Sequence, residues 1–194
     1  AGTNAVRVAM GMGARVVVID RSLERLYQLD MQYGSQIYTI YSTLFSIEHH
    51  LEHADLVIGA VLIPGSSAPK LVSKESLRVM QPGAVVVDVS IDQGGCFETS
   101  RPTTHQDPTY IVDNIVHYCV ANMPGAVPRT STVALNNATL PYVIDIANQG
   151  YKQAMRRNPH LMNGLNICHG KITYLAVADA LGKSYTPAEE MIKE

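Results

Sequence analysis

The sequence predicts an α/β fold: a doubly wound parallel sheet of the Rossmann type, followed by helices that belong to a second domain. Helix and strand patterns alternate from the start of the chain, and the strand patterns are short, nearly continuous runs of β-branched residues. Such runs are typical of strands that helices cover on both faces, as in a parallel sheet. The alternation starts with a helix pattern, so we expect the first strand to lie upstream of Ala1.

The first 90 residues carry most of this pattern. Gly13 and Asp20 bound a buried strand, and Ser22 is a suitable N-cap for the helix that follows. Pro82 and Gly83 end the last helix of the series. The predicted helices cover residues 3–12, 22–32, 45–53 and 73–80, and the predicted strands cover residues 15–19, 36–41, 55–60 and 84–89.

After Ser90 the alternation gives way to loops. One strand is predicted near Val116 to Val120, and helices are predicted over residues 129–149 and 173–181. We therefore place a boundary near residue 128. The predicted domains are residues 1–128, a nucleotide-binding sheet domain that is incomplete at its N-terminus, and residues 129–194, a helical segment that returns to the second domain.

Composition narrows the classes of function. With 46% hydrophobic and 16% charged residues, the 194-residue chain can bury a core. A net charge of −2 argues against nucleic acid as a partner, and no apolar run is long enough to predict a membrane partner. The three cysteines, Cys96, Cys119 and Cys168, lack metal-ligand spacing and are expected to be reduced thiols in the cytoplasm.

The start of the chain reads as the second half of a dinucleotide fingerprint. Gly2 precedes a helix, and the next strand ends in Asp20, which lies 18 residues after Gly2. At that spacing an acid binds the ribose hydroxyls and favours NAD over NADP. The alternative is that Asp20 only caps the next helix, and Arg21 and Arg25 could offset the preference against a 2′-phosphate.

Three loops follow predicted strands at the edge where such sheets bind ligands. The first covers residues 60–65. The second, residues 89–95, carries Asp92 among glycines, where a carboxylate could hold an ammonium or a water or move a proton. The third, residues 121–132, carries Asn122, which could bind a carboxamide. The alternatives are that Asp92 forms an Asx-turn and that Asn122 is a turn residue.

The histidines predict no metal site. His49 and His53 are spaced to face the same side of a predicted surface helix, with His50 between them, but no third ligand is evident. His105 lies in a loop and is the one histidine that merits attention.

Four motifs resemble those of bacterial L-alanine dehydrogenases: DLVIGAVLIPG at 55–65, VDVSIDQGG at 87–95, RPTTH at 101–105 and VANMPGAVPRTST at 120–132. The resemblance extends from Ala1 to about Tyr185. It implies NAD as the cofactor and the reversible oxidative deamination of L-alanine to pyruvate and ammonium. It also implies a cytoplasmic homo-oligomer, which in this family is a homohexamer.

The resemblance also implies roles for individual residues. Asp92 matches the catalytic aspartate of the family, whereas its substrate-binding lysine and arginine and its catalytic histidine come from an N-terminal domain, and His105 matches none of them. On this basis the residues expected to bind the cofactor are Gly2, Asp20, Arg25, Ser42, Val61, Leu62, Ile91, Asp92, Asn122 and Met123, with Arg25 and Ser42 on the adenosine side and Val61 and Leu62 in the loop over the cofactor.

Two other functions stay open. The related NAD(H)-binding module of a proton-translocating nicotinamide nucleotide transhydrogenase has similar loops, although residues 91–95 and 102–105 favour the alanine enzyme. A folded fragment without catalytic activity is the third possibility. Because half of the family's site would be absent, we expect the 194 residues alone to be inactive.

Overall fold

The structure is a computed structural model that describes residues 1–63 and 67–193. The chain divides into two compact units, Ala1–Leu62 with Ala68–Asn122, and Ile63–Ser67 with Met123–Glu194. The first unit contains the alternating part of the sequence. Its elements are α1 (Gly2–Gly11), β1 (Val16–Asp20), α2 (Leu23–Tyr33), β2 (Ile37–Tyr41), α3 (Leu44–Leu51), β3 (Leu56–Gly59), α4 (Lys74–Leu77), β4 (Val85–Asp88), β5 (Thr109–Val112) and β6 (Ile115–Tyr118).

The strands confirm a parallel α/β fold, but in two sheets rather than one. Strands β1 and β2 form a parallel pair, and the second sheet has the order β3-β4-β6-β5. In that sheet β3, β4 and β6 are parallel, and β5 is antiparallel at one edge. Within the described residues, β1 and β3 are not hydrogen-bonded to each other.

Helix N-terminal caps follow the sequence signals. The Ser22 hydroxyl accepts a hydrogen bond from the Arg25 amide, as its predicted role as N-cap requires. Thr43 and Ser46 form a reciprocal capping box at the start of α3. Ser73 caps α4, which ends after one turn instead of extending to residue 80.

Two hydrophobic clusters hold the first unit together. Leu77, Val86, Phe97 and Ile115 are at most 1% exposed and form the centre of the larger cluster, on the four-stranded sheet. The smaller cluster packs α1 and α2 on the β1–β2 pair through residues Val6, Val16, Leu29 and Ile37. Burial is uneven, because Leu56 and Ile58 of β3 are exposed, contrary to the expectation of strands covered on both faces.

After Ser90, the first unit contains one strand more than predicted. Strands β5 and β6 form an antiparallel hairpin, where the sequence predicted a single strand. Asp113 and Asn114 connect them, and both have positive φ angles, of 49° and 65°. Two successive positive angles are the feature of a type I′ turn, which suits the twist of a hairpin.

The second unit is mainly helical. Its elements are α5 (Pro128–Arg157), α6 (Pro159–Met162), β7 (Ile167–Cys168), β8 (Lys171–Ile172), α7 (Leu175–Leu181) and α8 (Ala188–Met191). Helix α5 continues beyond the predicted end at 149 and is interrupted at Gly150, whose φ is 76°. The β7–β8 hairpin was not predicted. Among the described residues, no helix combines the length and apolar character needed to cross a membrane.

Candidate functional site

Three loops leave the same edge of the four-stranded sheet. Gly59 of β3 pairs with Asp88 of β4, and Val87 of β4 pairs with Tyr118 of β6. Because these strands are parallel, the segments that follow Gly59, Asp88 and Tyr118 emerge side by side. They contain Val61 and Leu62, Ile91 and Asp92, and Asn122 respectively.

Asp88, at the end of β4, is fully buried and organises the loop after it. Its Oδ2 atom accepts hydrogen bonds from the Cys96 amide at 2.8 Å, the Phe97 amide at 3.4 Å and the Ser100 hydroxyl at 2.5 Å. Its Oδ1 atom accepts one from the Ser90 amide at 3.1 Å. A carboxylate without exposure to water is stabilised by such donors.

Glycines make room for this carboxylate. Gly95 has a φ of 76°, and a β-carbon there would lie 2.5 Å from Asp88 Oδ2 and 2.8 Å from Ser100 Cβ. At Gly59 a β-carbon would collide with the Cys96 sulfur. Burial raises the pKa of the Cys96 thiol to about 12, with the Asp88 carboxylate acting in the same direction.

The loop after β4 is tied to the segment after β3. The buried Ser90 hydroxyl donates to the Val61 carbonyl at 2.7 Å, and the Ala68 amide donates to the Gln93 carbonyl at 2.8 Å. The Lys70 ammonium donates to the carbonyls of Gly94, at 2.5 Å, and Phe97, at 3.1 Å. The structure thus brings Val61 together with the loop that carries Asp92. Leu62 is exposed, and the predicted loop residues Pro64 and Gly65 lie outside the described residues.

Asp92 stands at the surface of this loop. It lies in a single 3₁₀ turn, Ile91–Gln93, in which Ile91 is buried and Asp92 is exposed. The turn closes with hydrogen bonds from the Gly94 amide to Ile91 and from the Gln93 amide to Ser90. The Asp92 carboxylate is therefore accessible to a ligand, although the backbone beneath it is fixed.

Asn122 and Met123 follow β6 in the third loop. Asn122 is exposed, has a φ of 60°, and accepts at its backbone carbonyl a hydrogen bond from His105 Nε2 at 3.0 Å. Met123 begins a short 3₁₀ turn in the second unit. The ring of His105 thus contacts the third loop at the backbone carbonyl of Asn122 and not at the Asn122 side chain.

The predicted adenosine-side residues lie at the carboxyl ends of the β1–β2 pair and in the first turn of α2. Asp20 ends β1, and its Oδ1 accepts the Ser22 amide hydrogen at 2.8 Å. The Ser42 amide donates to the Asp20 carbonyl at 3.0 Å, so these two predicted residues are neighbours. Arg25 reaches across to the first turn of α1, where its Nη2 donates to the Thr3 hydroxyl at 2.5 Å.

Gly2 connects this side to the four-stranded sheet. It begins α1, and a β-carbon on Gly2 would lie 3.7 Å from Ala60 Cβ, just after β3. The N-terminus of α1 therefore lies beside the carboxyl end of β3. Amide groups at such a helix terminus favour anions.

A second buried polar group lies in β6, next to β4. His117 of β6 is fully buried and stacks on Tyr110, with ring centroids 4.8 Å apart. Its Nδ1 donates to the Ile115 carbonyl at 3.0 Å, so in the neutral ring Nε2 accepts the hydrogen bond from the Thr99 hydroxyl at 2.8 Å. Burial lowers the pKa of His117, the Arg101 charge lowers it further, and the bond to Ile115 acts against both.

Other candidate sites are weaker. In residues 1–63 and 67–193, no three His, Cys, Asp or Glu side chains converge as metal ligands. The ring centroids of His49 and His53 are 6.3 Å apart. Two surface cavities of about 400 Å³, one lined by Tyr174 and Tyr185 and the other by Phe45 and Val79, have no predicted cofactor residue among their lining residues.

Sequence reasoning missed Asp88, Ser100 and Lys70. The signal for Asp88 was present as a single acid at the end of a valine strand, just before the small residues Ser90, Gly94 and Gly95. Nothing in the sequence pairs it with donors eight to twelve residues later.

The family described as alanine dehydrogenase/PNT, C-terminal domain, matches residues 1–175. An alanine dehydrogenase of Halomonas elongata is 54% identical over 98% of this chain and 52% of its own length, and one of Lysinibacillus sphaericus is 58% identical over 96% and 50%. The chain thus spans about half the length of the curated relatives that it matches.

Solved structures agree with this result. A structure of L-alanine dehydrogenase matches with a TM-score of 0.82 and 48% identity, over 93% of this chain and 50% of that one. A transhydrogenase from Sinorhizobium meliloti matches less well, with a TM-score of 0.55 and 28% identity over 63% of this chain and 34% of that one.

Proposed function

The chain belongs to the family of alanine dehydrogenase/PNT C-terminal domains, and from that premise we propose that it is the cofactor-binding part of an alanine dehydrogenase. The reaction is the NAD-dependent, reversible oxidative deamination of L-alanine to pyruvate and ammonium. The observation that carries this proposal is the 54% identity, along 98% of the chain, to the alanine dehydrogenase of Halomonas elongata. The transhydrogenase match covers less of the chain at 28% identity and supports that alternative less well.

The adenosine side of the cofactor fits the β1–β2 sheet. Asp20 is partly exposed at the carboxyl end of β1, with its carboxylate beside the start of α2. Such a carboxylate accepts hydrogen bonds from both ribose hydroxyls. Gly2 begins α1 beside Ala60, and the amide groups at this helix terminus bind the pyrophosphate. Arg25 and Ser42 complete this side.

The nicotinamide side fits the loops of the four-stranded sheet. NAD, when bound, supplies the acceptor for the hydride of the substrate. Val61 and Leu62 lie in the loop over the cofactor, and Ile91 anchors the turn below it. Asn122 and Met123 match the nicotinamide side, where Asn122 binds the carboxamide. Asp92 is the catalytic aspartate: its exposed carboxylate holds an ammonium or orients a water and accepts a proton there.

The remaining groups of the reaction lie outside the 194 residues. We assign the substrate-binding lysine and arginine and the catalytic histidine to the N-terminal half of the relatives' length. The protein acts in the cytoplasm as a homo-oligomer, specifically a homohexamer. Its three cysteines, all buried and unpaired by disulfides within the described residues, are consistent with a reducing compartment.

A joined enzyme tests this proposal. In it, the N-terminal half of the Halomonas elongata relative precedes this chain, and NADH formation from L-alanine and NAD is measured. We expect turnover from the joined enzyme, none from the 194 residues alone, and a hexamer by light scattering. A folded joined enzyme that binds NADH without oxidising L-alanine would contradict the assignment, and turnover by the 194 residues alone would contradict the placement of the missing groups.

A further inference from the structure

We propose that Asp88 is a positioning residue of the site: its buried carboxylate fixes the loop of residues 89–97 and thereby the place of the Asp92 carboxylate. The inference rests on the proposed function of Asp92. Asp88 itself is fully buried and does not reach the surface where a ligand would bind. Its influence therefore passes through the backbone of the loop.

The hydrogen bonds of Asp88 close this loop at both ends. The Ser90 amide, at the start of the loop, bonds to Oδ1, while the Cys96 and Phe97 amides, at its end, bond to Oδ2. The Ser100 hydroxyl adds a further donor to Oδ2. One side chain thus joins the two ends of the segment whose middle carries Asp92.

A second set of contacts holds the loop from outside. Lys70 donates to the carbonyls of Gly94 and Phe97, and the Ser90 hydroxyl donates to Val61. The Gly95 amide also donates to the Ser90 carbonyl at 3.0 Å. Amides of the loop donate to Asp88, and carbonyls of the loop accept hydrogen bonds from Lys70. The turn therefore has few alternative conformations, and the exposed Asp92 lies on a fixed backbone.

The position requires a carboxylate. Oδ2 faces three donors and Oδ1 faces the Ser90 amide, with the Cys96 thiol also directed at Oδ1 at 3.6 Å. An asparagine would present its own N–H groups to donors on one of these two sides, and those donors would be left without an acceptor. We therefore expect Asp88→Asn to displace the loop, even though the two side chains have nearly the same size.

The first test measures amide hydrogen exchange in the 194-residue chain, which needs no catalysis. Ser100→Ala removes one donor from Asp88 and keeps the carboxylate. We expect the amides of residues 94–97 to exchange roughly tenfold faster in Ser100→Ala. Ser76→Ala is the matched control, because the hydroxyl of Ser76 also donates to a carboxylate, that of Glu48, but Ser76 lies in α4. Unchanged exchange in Ser100→Ala and Asp88→Asn would overturn the proposal.

The second test is a double-mutant cycle in the joined enzyme. We expect Ser100→Ala to lower kcat roughly tenfold while the KM for NAD changes by less than about twofold, and Asp88→Asn to lower kcat further. If Asp88 acts through Asp92, Ser100→Ala lowers kcat by less than about twofold once Asp92 is already asparagine. A merely structural effect would lower kcat by the same factor in both backgrounds, which would overturn the proposal. Full kcat in Asp92→Asn alone would instead contradict the role of Asp92 in the proposed function.

Discussion

Asp20 and Asp92 both lie at the carboxyl ends of parallel strands, yet the polypeptide around them is held in different ways. Asp20 ends β1, in a two-stranded sheet in which the side chains of Tyr38 and Tyr41 on the other strand are about half exposed. Among the described residues, its carboxylate has one hydrogen bond, from the Ser22 amide. Asp92 rests on a four-stranded sheet and on a loop that Asp88 fixes through a carboxylate without solvent exposure.

The difference corresponds to two different tasks. A group that binds a ribose contributes mainly through charge-assisted hydrogen bonds, and the ligand itself can help to order it. A group that acts in the chemical step must lie close to its productive position, since small displacements cost large factors in rate. The more rigid side of the proposed site is the side that we expect to carry the chemistry.

The largest effect is expected at Asp92. Asp92→Asn in the joined enzyme should lower kcat roughly 100-fold or more, because the amide cannot accept a proton, while NADH affinity measured by fluorescence changes little. Asp113→Asn makes the same chemical change at an exposed turn that already has a positive φ, and should leave kcat unchanged. Equal turnover in Asp92→Asn and the parent would show that Asp92 has only a structural role in the loop. The contrast between Asp92 and Asp20 would then not hold.

The next effect concerns stability. Gly95→Ala should lower the free energy of unfolding by about 3 kcal/mol, because the added carbon meets Asp88 Oδ2 and also forces alanine into a positive φ. Gly13 has a similar φ of 80°, but a β-carbon there meets no atom within 4 Å. Gly13→Ala should therefore cost only about 1 kcal/mol in urea unfolding. Equal costs at the two glycines would show that the Asp92 loop is not tightly packed.

On the other side of the site, Asp20→Ala should weaken NAD binding. The loss of charge-assisted bonds to the ribose, worth about 1.5–3 kcal/mol, corresponds to a tenfold or larger increase in the dissociation constant of NAD. NADP binding should be unaffected or improved, since a negative charge is removed near its 2′-phosphate. Calorimetric titration of both cofactors checks this, and an unchanged NAD affinity would contradict the ribose role.

The smallest effect is a dependence of stability on pH. Because burial lowers the pKa of His117 in the folded protein, the unfolded chain binds the proton more tightly, and stability falls as the pH drops below about 6.5. The slope for one proton is at most about 1.4 kcal/mol per pH unit. His117→Gln should reduce this slope, measured by urea unfolding between pH 7.5 and 5.5.

His50 provides the control for this measurement. Its pKa is also lowered, first by burial and then by His49, Arg15 and His53, but it lies on helix α3 at the surface. Solvent and salt screen such interactions, so His50→Gln should change the slope less than His117→Gln. A larger change of slope in His50→Gln than in His117→Gln would show that the burial of His117 is not the main source of this pH dependence.

The comparison also explains what the sequence could predict. The N-cap role of Ser22 and the place of Asp20 at the end of a strand were predictable because both depend on neighbours within a few residues in the sequence. The role of Asp88 depends on Cys96 and Ser100, which the fold brings to it from eight and twelve residues away. In the sequence, an acid at the end of a strand has the same pattern whether it is exposed or buried.

Other differences have similar causes. The β5–β6 hairpin has strands of four residues, too short for a clear alternation, although its turn residues Asp113 and Asn114 suit positive φ angles. The predicted single sheet is divided because β1 and β3 do not pair within the described residues. The predicted site residues and the boundary near residue 128 stay predictions.

Cys96 offers a way to follow the motion of the Asp92 loop in time. Its thiol is 2% exposed and has a pKa of about 12, so at neutral pH almost none of it is thiolate, the form that alkylating reagents attack. Reaction then requires the loop to separate from Asp88, which both exposes the sulfur and removes the nearby negative charge. The rate of Cys96 alkylation, read by mass spectrometry, would therefore report how often the loop opens and whether a bound nucleotide keeps it closed.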